Sequence, residues 1–181
     1  MLTHYVDLVP RTGPVLYSLY GRVLMAAHLT ARDGQGIAID WPMWKDMPGC
    51  FGHVIRLLGT QGAIDQCLAY LAPLIAAGLV AGQGDPKAVP DGAVCLHGYR
   101  RNRKPDKGSP SHLRRLERRA ESRAETYDSS GAQWVQAKHK LPMQSSSTGQ
   151  NFHLFIERVP ADKLTGASVG SYGLGVLVPH F

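Results

Sequence analysis

Ten of the twenty Lys and Arg side chains fall between Arg100 and Glu125, where only four acids accompany them. The other residues hold ten bases and ten acids, so this one segment carries the whole formal excess of +6. Its second half relies on arginine alone: Arg114, Arg115, Arg118, Arg119 and Arg123. A planar guanidinium forks onto phosphate oxygens or a guanine edge, a geometry that an ammonium group lacks. The preceding stretch adds Arg100, Arg101, Arg103, Lys104 and Lys107. Residue type and crowding point to a polyanion-binding surface on an otherwise neutral scaffold.

Eight histidines are the other set able to do chemistry, because an imidazole exchanges protons near neutral pH. Cys50, Cys67 and Cys95 are odd in number and widely spaced, which suggests neither a disulfide framework nor a zinc knuckle. They read as small buried apolar residues. No metal site is implied. No apolar run reaches the length of a membrane span, and the opening MLTHYVDLVP lacks a basic region followed by a hydrophobic stretch. The sequence therefore reads as that of a soluble, cytoplasmic protein.

The elements that must position these groups alternate in the first half. Residues 3–9 read as a strand, and 14–31 as a helix opened by Pro14. A strand at 36–41, a turn-rich PMWKDMPG and a strand within 52–59 follow. A helix over 61–77 is expected to kink or end near Pro73, and a short strand lies around 79–82. That order is the split βαβ, ferredoxin-like arrangement, a frame common among RNA-binding proteins. The fold class is thus α+β: a ferredoxin-like (RRM-like) domain over 1–90, then a smaller α/β region over 91–181. In the second region a strand near 93–100 runs into the basic loop, and a helix over 111–126 is capped by Ser111. Strands at 151–158 and 170–178 complete it.

At about 100° per residue the arginine helix divides into faces. Leu113, Leu116, Ala120 and Ala124 form a narrow apolar stripe, with the five arginines spread over the opposite side. Glu117, Glu121 and Glu125 line a flank, at the right spacing to pair with arginines three or four positions away.

Several segments resemble the CRISPR-associated repeat-processing endoribonucleases of type I-F systems. They are HYVDL, LYGRVL, YRRNRK before HLRRLERRAESR, SSSTGQNFHLFI and the terminal SYGLGVLVPHF, spread in order over nearly the whole chain. The resemblance implies recognition of the CRISPR repeat RNA stem-loop and metal-independent cutting at its 3′ base. It also implies retention of the crRNA product as a subunit of the interference complex, alongside other Cas proteins. Arg114, Arg115, Arg118 and Arg119 would then grip hairpin phosphates, with Arg123 and the basic loop beside them. Arg101 and Arg103 would read base edges, although the family pattern often has glutamine at position 103. A-form RNA normally hides its major groove, so a helix enters only where a short hairpin opens the groove at its end.

Metal-free RNA cleavage uses the adjacent 2′-OH as nucleophile and needs a base, charge-stabilising donors and in-line geometry. The products are a 2′,3′-cyclic phosphate and a 5′-OH. In the family the base lies three residues after the position of Gly21, which here is Leu24. The histidine of this helix is His28, one turn later and at the rim of its apolar stripe. His153 and His4 stand as alternatives. Ser145 matches the family serine that positions the 2′-OH, Ser147 supports it, and Tyr172 matches a tyrosine that holds the site. Gln150 and Phe152 belong to the RNA-contacting set, Phe152 by stacking on a base. A non-catalytic hairpin-binding subunit is the competing reading, because the usual histidine is missing. A DNA-binding regulator is a third, but no short helix precedes 111–126 at a tight turn.

Overall fold

The structure is a computed structural model that describes residues 2–81, 84–107, 110–126, 137–164 and 168–181. The first half builds β1 (His4–Pro10), α1 (Leu16–Arg32), β2 (Ala38–Asp40), β3 (Ile55–Gly59), α2 (Gln61–Ala76) and β4 (Val80–Ala81). Its sheet runs β2-β3-β1-β4 with antiparallel neighbours throughout. That is the ferredoxin-like order the sequence predicts. A two-residue β5 (Lys87–Ala88) adds to β1.

Local chemistry sets the helix ends. Pro14 lies in a turn before α1 instead of inside it. Thr60 caps α2 by accepting a hydrogen bond from the Ala63 N–H at 3.2 Å. The helix passes through Pro73, where the sequence suggested a kink or an end, and stops when Gly78 turns left-handed at φ 65°. Val6 and Leu8 of β1, Val23 and Ala27 of α1, and Ile64 and Leu71 of α2 join one buried core.

The second sheet consists of β6 (Val94–Arg101), β7 (His139–Gln144), β8 (Asn151–Pro160) and β9 (Leu177–His180), in the order β7-β8-β6-β9. Leu141, Met143, Leu154 and Ile156 contribute to the same core as the first sheet. Tyr99 ties the two sheets: its buried hydroxyl donates to Asp40 Oδ1 at 3.0 Å. Two expectations change here. The stretch 170–178 is mostly a tight turn, with strand only from Leu177, and β7 was not foreseen. Pro142 sits inside β7, which tolerates it because β7 is an edge strand.

Helix α1 crosses β7 at Gly21, where an added Cβ would run into the Pro142 carbonyl oxygen. Backbone meeting backbone leaves little room to adjust, so Gly21→Ala is expected to destabilise the fold by about 1–3 kcal/mol. A melting curve checks it, at roughly 2–4 °C per kcal/mol for a chain of this size. An unchanged midpoint would show that the contact yields freely.

Candidate active site

The Gly21 crossing places α1 beside the β7–β8 hairpin and leaves a cleft of about 560 Å³ between them. Ser18, Arg22 and Met25 line it from the helix, with Ser145, Phe152 and His153 on the facing wall. The serine-rich connection is a hydrogen-bonded hairpin loop. Its ends are tied by the Ser145 N–H donating to Gln150 O at 2.9 Å, and the Gly149 N–H donates to Ser145 O at 2.9 Å. Gly149 takes the left-handed conformation this closure requires, φ 68°. Ser145 Oγ accepts from the Thr148 N–H at 3.3 Å and lies 3.2 Å from Ser147 Oγ. The loop thus pairs the two serines and fixes Ser145. Gln150 is exposed, whereas Phe152 is half-buried against the core.

His28 lies on α1 three residues past Met25, and its ring stacks on Tyr172 with centroids 4.7 Å apart and planes 24° from parallel. Burial first, and then the neighbouring Arg32 guanidinium, hold its imidazole below the ordinary histidine value. A neutral imidazole is the form that can accept a proton. Tyr172 occupies a left-handed position, φ 66°, inside a 3-10 turn over Ser171–Gly173. Gly173 seats that turn on β2: a Cβ there would come within 2.5 Å of Ile39 Cγ1. The four predicted site residues thus form two contacting pairs, Ser145 with Ser147 and His28 with Tyr172. Neither His28 nor Tyr172 lines the cleft that holds Ser145, whereas His153 does. His4 is on β1, paired with Gly59 of β3, away from the cleft. Leu24 is wholly buried in the core.

The basic segment departs from the sequence reading in three ways. Residues Lys104–Lys107 form a short helix, α3, in place of a loop, and the Asn102 side chain caps it by accepting from the Lys104 N–H at 3.0 Å. The arginine helix, α4, runs Pro110–Glu121, so Ser111, expected at its cap, falls inside its span. It ends short of Thr126 because Ala124 turns left-handed at φ 54°, with the Glu125 N–H donating to Ala120 O at 2.9 Å and the Ala124 N–H to Glu121 O at 3.1 Å. Arg123 falls in that turn and is exposed. The third departure is electrostatic. Among the described residues, Arg114, Arg115, Arg118 and Arg119 form no ion pair with Glu117, Glu121 or Glu125. All four arginines are exposed; Arg115 Nη2 lies 2.8 Å from His112 Nδ1, and Arg118 Nε donates to Arg114 O at 3.4 Å. Their side chains are exposed, and no carboxylate among the described residues forms an ion pair with them.

Arg100 is engaged within the sheet, its Nε 2.6 Å from Glu157 Oε1 across β6 and β8. Arg101, Arg103 and Lys104 are exposed where β6 gives way to α3, and Lys107 closes α3. Asn102, which sequence reasoning passed over, anchors this junction twice. Its backbone N–H donates to Phe155 O at 2.8 Å, and its side chain caps α3. The signal was a short polar residue just ahead of a helical turn. No helix among the described residues is long and apolar enough to cross a membrane.

No curated protein sequence matches this one significantly. The chain is similar to a solved structure of the CRISPR endoribonuclease Cse3 bound to 19 nt RNA, at 15% identity and a TM-score of 0.36. That alignment covers 99% of this chain and 100% of the other. Residues 6–181 match the family model described as CRISPR-associated protein (Cas_Csy4), and the chain therefore belongs to this family of type I-F repeat-processing endoribonucleases.

Proposed function

We propose that this protein cuts CRISPR repeat RNA at the 3′ base of its hairpin, without metal, by attack of the adjacent 2′-OH. The 2′-oxygen forms a bond to phosphorus as the bond from phosphorus to the 5′-oxygen breaks. The 2′-OH proton passes to the His28 imidazole, and the departing 5′-oxygen takes a proton from water. Ser145, supported by Ser147, holds the 2′-OH, and Tyr172 keeps the imidazole in place by stacking. The observation that carries this reading is the stacking of Tyr172 on His28, which lies on α1, the helix that also walls the Ser145 cleft. It supplies a neutral base on the expected helix, although the usual position is filled by Leu24.

Recognition belongs to the second half of the chain, from residue 91 onward, and catalysis draws its base from residues 1–90. Arg114, Arg115, Arg118 and Arg119 hold the phosphates of the stem, a reading supported by their exposure on one helix without an ion pair among the described residues. Arg123, Lys104 and Lys107 add further positive charge to the RNA-binding set. Arg101 and Arg103 meet base edges beside the cut, Arg100 contributes charge while fixed by Glu157, and Gln150 and Phe152 contact the nucleotide at the cleft. The cut RNA stays bound, and with it the protein joins the other Cas subunits of the type I-F interference complex in the cytoplasm.

One observation favours a second reading. Leu24 is buried where the family carries its base, as expected of a subunit that holds the hairpin without cutting it. Incubation of the purified protein with repeat-hairpin RNA in EDTA separates the two. Cleavage at the 3′ base with the hairpin product co-eluting supports the enzyme, and tight binding of intact RNA supports the passive subunit.

A further inference from the structure

Arg22 lies on the cleft face of α1, four residues after Ser18 and three before Met25, both of which share that wall. It is exposed and forms no ion pair among the described residues. Other arginines of the fold are engaged: Arg56 is bidentate to Asp7 at 2.7 and 3.0 Å, and Arg100 is held by Glu157. Arg22 also follows Gly21 directly, where the helix lies so close to β7 that an added Cβ would meet the Pro142 carbonyl oxygen. The guanidinium is therefore carried on the turn of α1 that packs against β7, across the cleft from Ser145 and His153. A cation without a partner in a cleft lined by hydroxyl and imidazole groups suits an incoming phosphate.

We propose that Arg22 is a catalytic residue of the cut, an inference that rests on the cleavage reading above. Its guanidinium donates to the non-bridging oxygens of the scissile phosphate. As the 2′-oxygen attacks, the charge on those oxygens grows from one toward two before falling back in the cyclic product. A fixed cation stabilises that doubly charged stage more than the starting diester, and this difference is what accelerates the step. Arg22 exchanges no proton.

The test compares Arg22→Gln, Arg22→Lys and Arg11→Gln in single-turnover cleavage of the repeat hairpin. Affinity is measured in parallel on a copy with a 2′-deoxy scissile nucleotide. Arg11 is exposed at the end of β1 and does not line the cleft, so its loss controls for net charge. The expected result is a rate about 10²–10³-fold lower for Arg22→Gln, with affinity changed less than about threefold. Arg22→Lys restores at least about tenfold of that loss, and Arg11→Gln cuts like the native chain. Native rates for Arg22→Gln, or equal losses of rate and affinity, would overturn the assignment while leaving the cleavage reading intact. If the native chain cuts no hairpin, the cleavage reading falls first and this inference with it.

Discussion

Replacing His28 with alanine is expected to slow single-turnover cleavage by about 10²–10⁴-fold, the usual contribution of a positioned general base. Binding of the hairpin should stay within a few-fold, because His28 stacks on Tyr172 and is not part of the basic face. The pH profile gives an independent reading. Only neutral imidazole accepts the proton, and burial and Arg32 lower its pKa from the ordinary 6.5. The protonated, inactive form therefore dominates only at low pH. The rate should rise with pH, pass its midpoint below 6.5 and level off through neutrality. A midpoint above 6.5, or normal cutting by the alanine variant, contradicts the assignment. His153 gives the natural comparison, since it lines the Ser145 cleft. If His153→Ala silences the protein and His28→Ala does not, the base moves to β8.

The second large effect concerns recognition. Changing Arg114, Arg115, Arg118 and Arg119 together to alanine is expected to weaken hairpin binding by at least about 10³-fold. Each charge-assisted contact contributes on the order of 1 kcal/mol or more, and about 1.4 kcal/mol is tenfold in affinity. The salt dependence should fall as well, by about three to four in the slope of log affinity against log salt. Cutting at saturating protein should survive within a few-fold, because these arginines lie on α4 and not in the cleft. Filter binding at several salt concentrations makes the measurement. An unchanged salt slope would mean that the phosphates are held elsewhere.

The parts legible in the sequence were those with local signals. Periodicity located α1, α2 and the alternating strands, and their order alone led to the ferredoxin-like sheet. The arginine helix was visible from composition, but its end was not. Ala124 turns left-handed without the glycine that usually marks such a stop. Strand β7 alternates buried and exposed residues, yet it holds Pro142 and runs into a serine stretch that resembles a loop. Only its place at the sheet edge, a long-range fact, makes the proline acceptable. The Arg100–Glu157 pair was hidden for the same reason, joining residues 57 apart in the chain. The expected Arg–Glu pairs on α4 had the right spacing but did not form, consistent with how little an exposed pair gains.

Within the proposed site, Ser145, Ser147 and Tyr172 were assigned through the family resemblance, and composition alone would have passed over them. Arg22 carried no signal at all. Its proposed role rests on Gly21, since the crossing of α1 over β7 shows which helix face opens on the cleft. Gly170, Gly173 and Gly175 could have warned that 170–178 was not a plain strand. Two of these three have positive φ, and Gly173 seats Tyr172 beside His28.

The central claim is that the RNA's own 2′-OH makes the cut. Its most direct measurement places native hairpin RNA and a copy with a single 2′-deoxy scissile nucleotide beside the purified protein in EDTA. With the 2′-OH as nucleophile, both should be bound with similar affinity. Only the native RNA is cut, giving a 2′,3′-cyclic phosphate and a 5′-OH. Cleavage of the deoxy copy, or an intact native hairpin, would contradict it.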